Sequence, residues 1–165
     1  MKIIKAVTQD EVWNHWKTIE GFTTDDFRSD IRDPLPTNLD WVLAVVEKGD
    51  INSLFVISSD DWKQEGLCSS DFKLTTAITN YSNTQSSNGK YGDIRAKELS
   101  FTSNQNALDT KLILVSSSKK GPFTLIEGNK RAIALGKLGR LVGLDIFCGI
   151  SPSIKDYLWA RYSHE

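Results

Sequence analysis

A chain of 165 residues, 39% hydrophobic and 25% charged, is long enough to bury a real core and too ordinary in composition for a disordered or fibrous class. Its net charge of −1 argues against bulk affinity for nucleic acid, and no apolar run approaches the ~20 residues that cross a bilayer. The opening Met1-Lys2-Ile3-Ile4-Lys5-Ala6-Val7 is cut short by Gln9-Asp10-Glu11 and does not read as a secretory leader. A single domain over residues 1–165, with no membrane association and a cytoplasmic location, is expected.

Residues 2–7 read as a short strand. Thr8 then stands three residues before Glu11, the spacing of a capping box, and Val12, Trp13, Trp16 and Ile19 recur at helical intervals, which predicts a helix over 9–19 stopped by Gly21. Residues 22–40, polar and carrying Pro34 and Pro36, read as a loop. Two apolar runs at 41–46 and 54–57, separated by Lys48-Gly49-Asp50, predict a hairpin. A short helix is expected over 60–64 with Trp62 inward.

Residues 80–92, rich in Ser, Asn and Gly, read as a mobile loop, and 93–101 fits strand or helix equally. The last third is more legible. Strands are expected at 111–115, 123–126 and 144–148. A helix is expected over 129–138, closed by Gly139, and another from Ser151-Pro152, proline being suited to a first helical position. The pattern as a whole predicts an α/β (α+β) fold, a small mixed sheet with flanking helices.

Charge is unevenly spread. Residues 1–115 carry 12 basic and 17 acidic side chains, whereas 116–165 carry 8 basic and 4 acidic. Lys119, Lys120, Lys130, Arg131, Lys137 and Arg140 stand against Glu127 alone in 116–140, an excess that attracts anions or is simply a solvated basic face.

The chemistry concentrates at Phe123-Thr-Leu-Ile-Glu-Gly-Asn-Lys-Arg. An apolar strand ends in Glu127. Gly128 permits a backbone conformation that a Cβ resists, and Asn129 is a good N-cap. The first helical amides, with the positive end of the helix dipole and the charges of Lys130 and Arg131, make an anion site suited to phosphate. Arg131 can grip two phosphate oxygens at once. Glu127 either holds Lys130 or Arg131 by a salt bridge, or acts as a general base or metal ligand. Ser151, at the next helix start, could turn its hydroxyl towards the same phosphate or serve as a plain N-cap.

The run Ile126-Glu127-Gly128-Asn129-Lys130-Arg131-Ala132, followed by apolar Ile133 and Leu135, resembles the signature of the ParB/sulfiredoxin superfamily. Members commonly show an acidic residue, Gly, a polar residue, any residue, Arg and Ala at a strand-to-helix junction. The similarity covers residues 110–165. It implies a ParB/sulfiredoxin-like domain that binds a nucleotide or another phosphorylated small molecule through Gly128, Asn129, Lys130 and Arg131. It also implies Mg²⁺ accompanying ATP, ADP or CTP, and Glu127 and Arg131 as catalytic residues of a phosphotransferase or phosphohydrolase.

Two departures bear on chemistry. Sulfiredoxins carry their reactive Cys where this chain has Asn129, which cannot make a thiolate attack. Asn129 also stands where a His with a near-neutral pKa is common. The helix-turn-helix domain of partition proteins is not expected. The alternatives are a non-catalytic interaction or regulatory module meeting a protein partner through its Trp-rich or loop surface, and a DNA-acting nuclease using 116–140.

Elsewhere the plain readings prevail. His15 is a helix residue rather than a base, and His164 a terminal one. Two histidines without clustered cysteines make no zinc site. Most of the five tryptophans are core anchors, Cys148 is a buried inert thiol, and Asp25, Asp26, Asp30 and Asp33 form a solvated acidic loop.

Overall fold

The first helix begins with the expected reciprocal cap: the Glu11 carboxylate accepts from the Thr8 amide at 2.7 Å while Thr8 Oγ1 accepts from the Glu11 amide at 3.2 Å. In the computed structural model, which describes residues 1–20, 29–104 and 111–164, this helix, α1 (Gln9–Glu20), follows strand β1 (Lys2–Ala6). The helix stop expected at Gly21 lies outside the described residues. The chain continues through α2 (Ser29–Arg32), β2 (Asp40–Val45), a 3₁₀ helix (Lys48–Ser53), β3 (Leu54–Phe55), α3 (Asp61–Gln64), α4 (Leu74–Ser82) and α5 (Gly89–Ser103). It ends with β4 (Leu112–Ser116), β5 (Phe123–Glu127), α6 (Asn129–Lys137), β6 (Asp145–Ile150) and two 3₁₀ helices, Pro152–Asp156 and Leu158–Ser163.

The six strands form one mixed sheet in the order β1-β2-β6-β4-β5-β3. The pairs β1–β2, β2–β6 and β4–β5 are antiparallel, and β4–β6 and β3–β5 are parallel. Alternate residues of β4 serve opposite faces. Leu112 and Leu114 join α4 and α6 in one core, where Leu74, Ala77, Tyr81 and Ile133 are buried. Ile113 and Val115 join Val12 and Trp16 of α1 and the C-terminal Ile154, Tyr157 and Ala160 in the other. The fold is therefore the expected mixed sheet with helices on both faces. α6 can press onto α4 because Gly136 has no side chain; a Cβ there would stand 2.2 Å from Ile78 Cδ1.

Three expectations are corrected. The runs at 41–46 and 54–57 are not a hairpin: β2 lies between β1 and β6, whereas β3 pairs with β5, Leu54 opposite Phe123, at the far edge. A two-residue hairpin turn needs positive φ at its centre. Gly49 instead lies within a 3₁₀ helix, where Asp50 Oδ2 accepts from the Glu47 amide at 2.8 Å, and that helix leads the chain away from β2. Nor are residues 80–92 a loop. α4 runs to Ser82 and α5 starts at Gly89, leaving only a short connection, and 93–101 is helical. The C-terminal segment starts where expected, with Pro152 at its first position and Ser151 Oγ accepting from the Ser153 amide, but it forms two 3₁₀ helices instead of one α-helix.

Candidate functional site

The strand-to-helix junction is built on Gly128. Its φ of +86° is left-handed, and a Cβ would stand 2.5 Å from Leu112 Cδ2 and 2.9 Å from Arg131 Nη2. Only glycine meets both conditions without displacing a neighbour. The first i→i−4 bond of α6 is donated by the Ala132 amide to the Gly128 carbonyl at 2.8 Å, so the amides of Asn129 and Lys130 belong to the open first turn.

Asn129 is not the cap. Gly128 takes that position, and Asn129 is the first helical residue with its side chain turned inward. Its Oδ1 accepts from the Ile57 amide at 3.0 Å and its Nδ2 donates to the Leu125 carbonyl at 3.4 Å, tying the chain after β3 to β5. Glu127 is gripped from both sides. Trp16 Nε1 donates to Oε2 at 3.1 Å across the sheet, and Arg131 Nη2 donates to Oε1 at 3.4 Å. All three side chains are buried or nearly so.

Over this junction opens a cavity of about 850 Å³. One side is apolar, with Ile57, Trp62, Ile126 and Trp159. The other is a single stripe of α5: Lys90, Asp93, Lys97 and Ser100, at the i, i+3, i+7, i+10 spacing of one helix face. Its charges are tied to neighbouring elements. Lys130 of α6 pairs with Asp93; Lys90 pairs with Asp61 at 2.8 Å and with Glu65, and lies over the Trp62 ring, 5.3 Å from its centroid. Hydrogen bonding to Lys130 holds the Asp93 carboxyl below its ordinary range. Burial is the largest single influence on Asp61 and on Lys90 and opposes ionisation, but their mutual hydrogen bond, together with the bonds that Asp61 accepts from Ser59 and Lys90 donates to Glu65, outweighs it, lowering the carboxyl and raising the ammonium.

The structure thus gathers Glu127, Gly128, Asn129, Lys130 and Arg131 on one cavity wall. Ser151 is not with them. Its Oγ donates to Asn38 Oδ1 at 3.0 Å, and its amide donates to the Ser116 carbonyl. The reason is topological. β6 is parallel to β4 and β5 antiparallel to it, so Ile150 stands beside Ser116 whereas Glu127 stands beside Ile113 at the other end. Consecutive helix starts here face opposite ends of the sheet.

The basic stretch 116–140 is likewise divided. Lys119 and Lys120 lie in the turn before β5, away from the junction. Lys137 pairs with Glu98 at 3.3 Å, and Arg140 Nη1 donates to the Phe101 carbonyl. His15 packs edge-on against Phe147, with Nε2 3.4 Å from the Lys111 carbonyl, and is no part of the cavity wall. Of the acidic loop, Asp25 and Asp26 lie outside the described residues, Asp33 pairs with Arg32, and Asp30 borders the cavity. Trp159 also borders it, fixed by a hydrogen bond from Nε1 to the Asp30 carbonyl at 2.7 Å, while Trp16, Trp41 and Trp62 are core residues.

Sequence reasoning missed the whole α5 wall, along with Asp61, Trp62 and Trp159 as cavity residues. No amphipathic pattern marked α5: Lys90 and Lys97 each stand four residues before Ile94 and Phe101, so charged and apolar side chains share one side of the helix.

Set against family models, curated proteins and solved structures, the chain matches none of them.

Proposed function

We propose that this chain binds a phosphorylated small molecule whose phosphate sits on the first turn of α6, nucleotides being the class that the resemblance at residues 126–135 implies. The observation that carries the reading is the cavity itself. Its volume falls in the range of about 300–1,000 Å³ common to small-molecule sites, and it opens on a glycine-led helix start that Lys90, Lys97 and Lys130 flank from two helices. Helix amides, dipole and ammonium groups act together on an anion. Ile57, Trp62 and Trp159 offer an apolar surface to the rest of the ligand.

The contacts of Glu127 favour the first of its two roles. With Trp16 and Arg131 each donating to one carboxylate oxygen, Glu127 serves as a positioning residue that holds the guanidinium behind Gly128. Among the described residues no group of three His, Cys, Asp or Glu side chains is placed to hold a metal. Asp61, a carboxylate on the cavity wall, suits a Mg²⁺ that arrives on the ligand's phosphates and keeps most of its water. Such an ion would supply charge neutralisation for phosphoryl transfer.

Calorimetric titration with ADP, ATP and CTP, with and without Mg²⁺, tests the reading. Binding of at least one of them is expected, weakened about tenfold in Lys130→Ala, the scale of one charge-assisted hydrogen bond. No affinity for any of the three, or equal affinity in Lys130→Ala, would overturn it.

A further inference from the structure

Of the cavity lysines, Lys90 and Lys130 are already paired, and this narrows the ligand. The three cations nearest the junction each have a carboxylate partner within the site: Lys130 with Asp93, Lys90 with Asp61, and Arg131 with Glu127. A purely anionic ligand that drew Lys130 and Lys90 to itself would leave Asp93 and Asp61 facing its own negative charge, a repulsive arrangement. A ligand carrying both signs avoids this at Asp93, because the ion pair that Lys130 leaves is replaced by another. Asp93 is the carboxylate best placed for the exchange. It touches Lys130 at the helix start, it is more than half exposed, and it stands on the same α5 face as Lys90.

We infer that the ligand is a phosphorylated amine: its phosphate lies on the first turn of α6 with Lys130, and its ammonium group takes over Asp93. This rests on the reading of the cavity as a phosphate site. It adds a cation-recognising half contributed by α5, and it makes the site selective for a zwitterion over a simple anion.

The test compares O-phosphoethanolamine with ethyl phosphate, which lacks only the ammonium group, by NMR titration of the wild-type chain and of Asp93→Asn. Asp93 is an exposed residue of an ordinary helix, so its amide variant is expected to fold. O-phosphoethanolamine should bind the wild type at least about tenfold more tightly, as a close opposite charge allows. In Asp93→Asn the preference should fall to about one, with ethyl phosphate bound more tightly than by the wild type because a repelling carboxylate is gone. A merely structural role for Asp93 would weaken both ligands together and would overturn the inference. So would equal binding of the two by the wild type, which leaves the phosphate reading intact. If ethyl phosphate matches O-phosphoethanolamine only after Mg²⁺ is added, the cation is a metal and the inference is overturned. Binding of neither probe at the junction would remove the inference together with the phosphate reading beneath it.

Discussion

At the scale of single residues, the junction is over-determined by a missing side chain and a gripped carboxylate. Gly128→Ala must hold a left-handed φ and press its methyl against Leu112 and Arg131. It should cost about 1–3 kcal/mol of stability in urea unfolding, and an unchanged midpoint would show that the turn can relax. Glu127→Gln keeps an acceptor for Trp16 but removes the Glu127 charge that faces the Arg131 guanidinium. A loss of about 1–3 kcal/mol is expected by the same measurement, the range for a buried charged hydrogen bond. Gly128 was legible because only one residue type suits a tight left-handed turn between an apolar strand and a helix. Asn129 was misread because a good capping side chain and a good inward hydrogen-bonding side chain look alike in sequence. The carbonyl oxygen that a cap would offer to the helix goes instead to the Ile57 amide, 72 residues away in the chain.

At the scale of elements, α5 is held to the molecule by few buried groups, Ile94 and Phe101 among them, and by ion pairs to α3 and α6. Hydrogen bonds from Lys130 and Lys90 hold Asp93 and Glu65 below the ordinary carboxyl values. Carboxyls depressed in the folded state bind fewer protons there than in the unfolded chain, so stability rises with pH through that range. The urea midpoint should stay level from pH 7 down to about 5 and fall as the pH drops below about 4, through the lowered values. In Lys130→Met the fall should be shallower, because Asp93 then loses the chief cause of its lowered value. A midpoint that rises on acidification, or an identical slope in the variant, would contradict this account of how α5 is tethered. The helix itself was hidden by composition. Ser, Asn and Gly crowd residues 80–92, and their turn chemistry dominated the reading, yet α4 runs to Ser82 and from Gly89 on the chain is helical because packing of Ile94 and Phe101 outweighs local preference. The false hairpin at 41–57 has the same origin: two apolar runs with a glycine between them specify strands but not which neighbours they choose.

At the scale of the molecule, the sheet order decides what meets at the cavity. The mixed sheet with flanking helices was legible from alternating apolar runs and helical periodicities. The strand order was not, because it depends on pairings between distant segments, and with it went the false placement of Ser151. The core between the sheet and α4 and α6 also buries both thiols. Burial pushes Cys68 and Cys148 up to about 12, so a thiol reagent at pH 8 should modify neither in the folded chain and both once urea unfolds it. Rapid labelling of one thiol in the absence of denaturant would reveal an opening of its face of the sheet that this packing does not predict.

The central claim is that the start of α6 receives a phosphate. Its most direct test is an amide-resolved NMR titration of the intact chain with ADP. The account predicts saturable shifts greatest at Gly128, Asn129, Lys130 and Arg131, with smaller ones along the Lys90–Lys97 face of α5. Saturable shifts centred elsewhere on the sheet, or none at these amides at any ADP concentration, would contradict it.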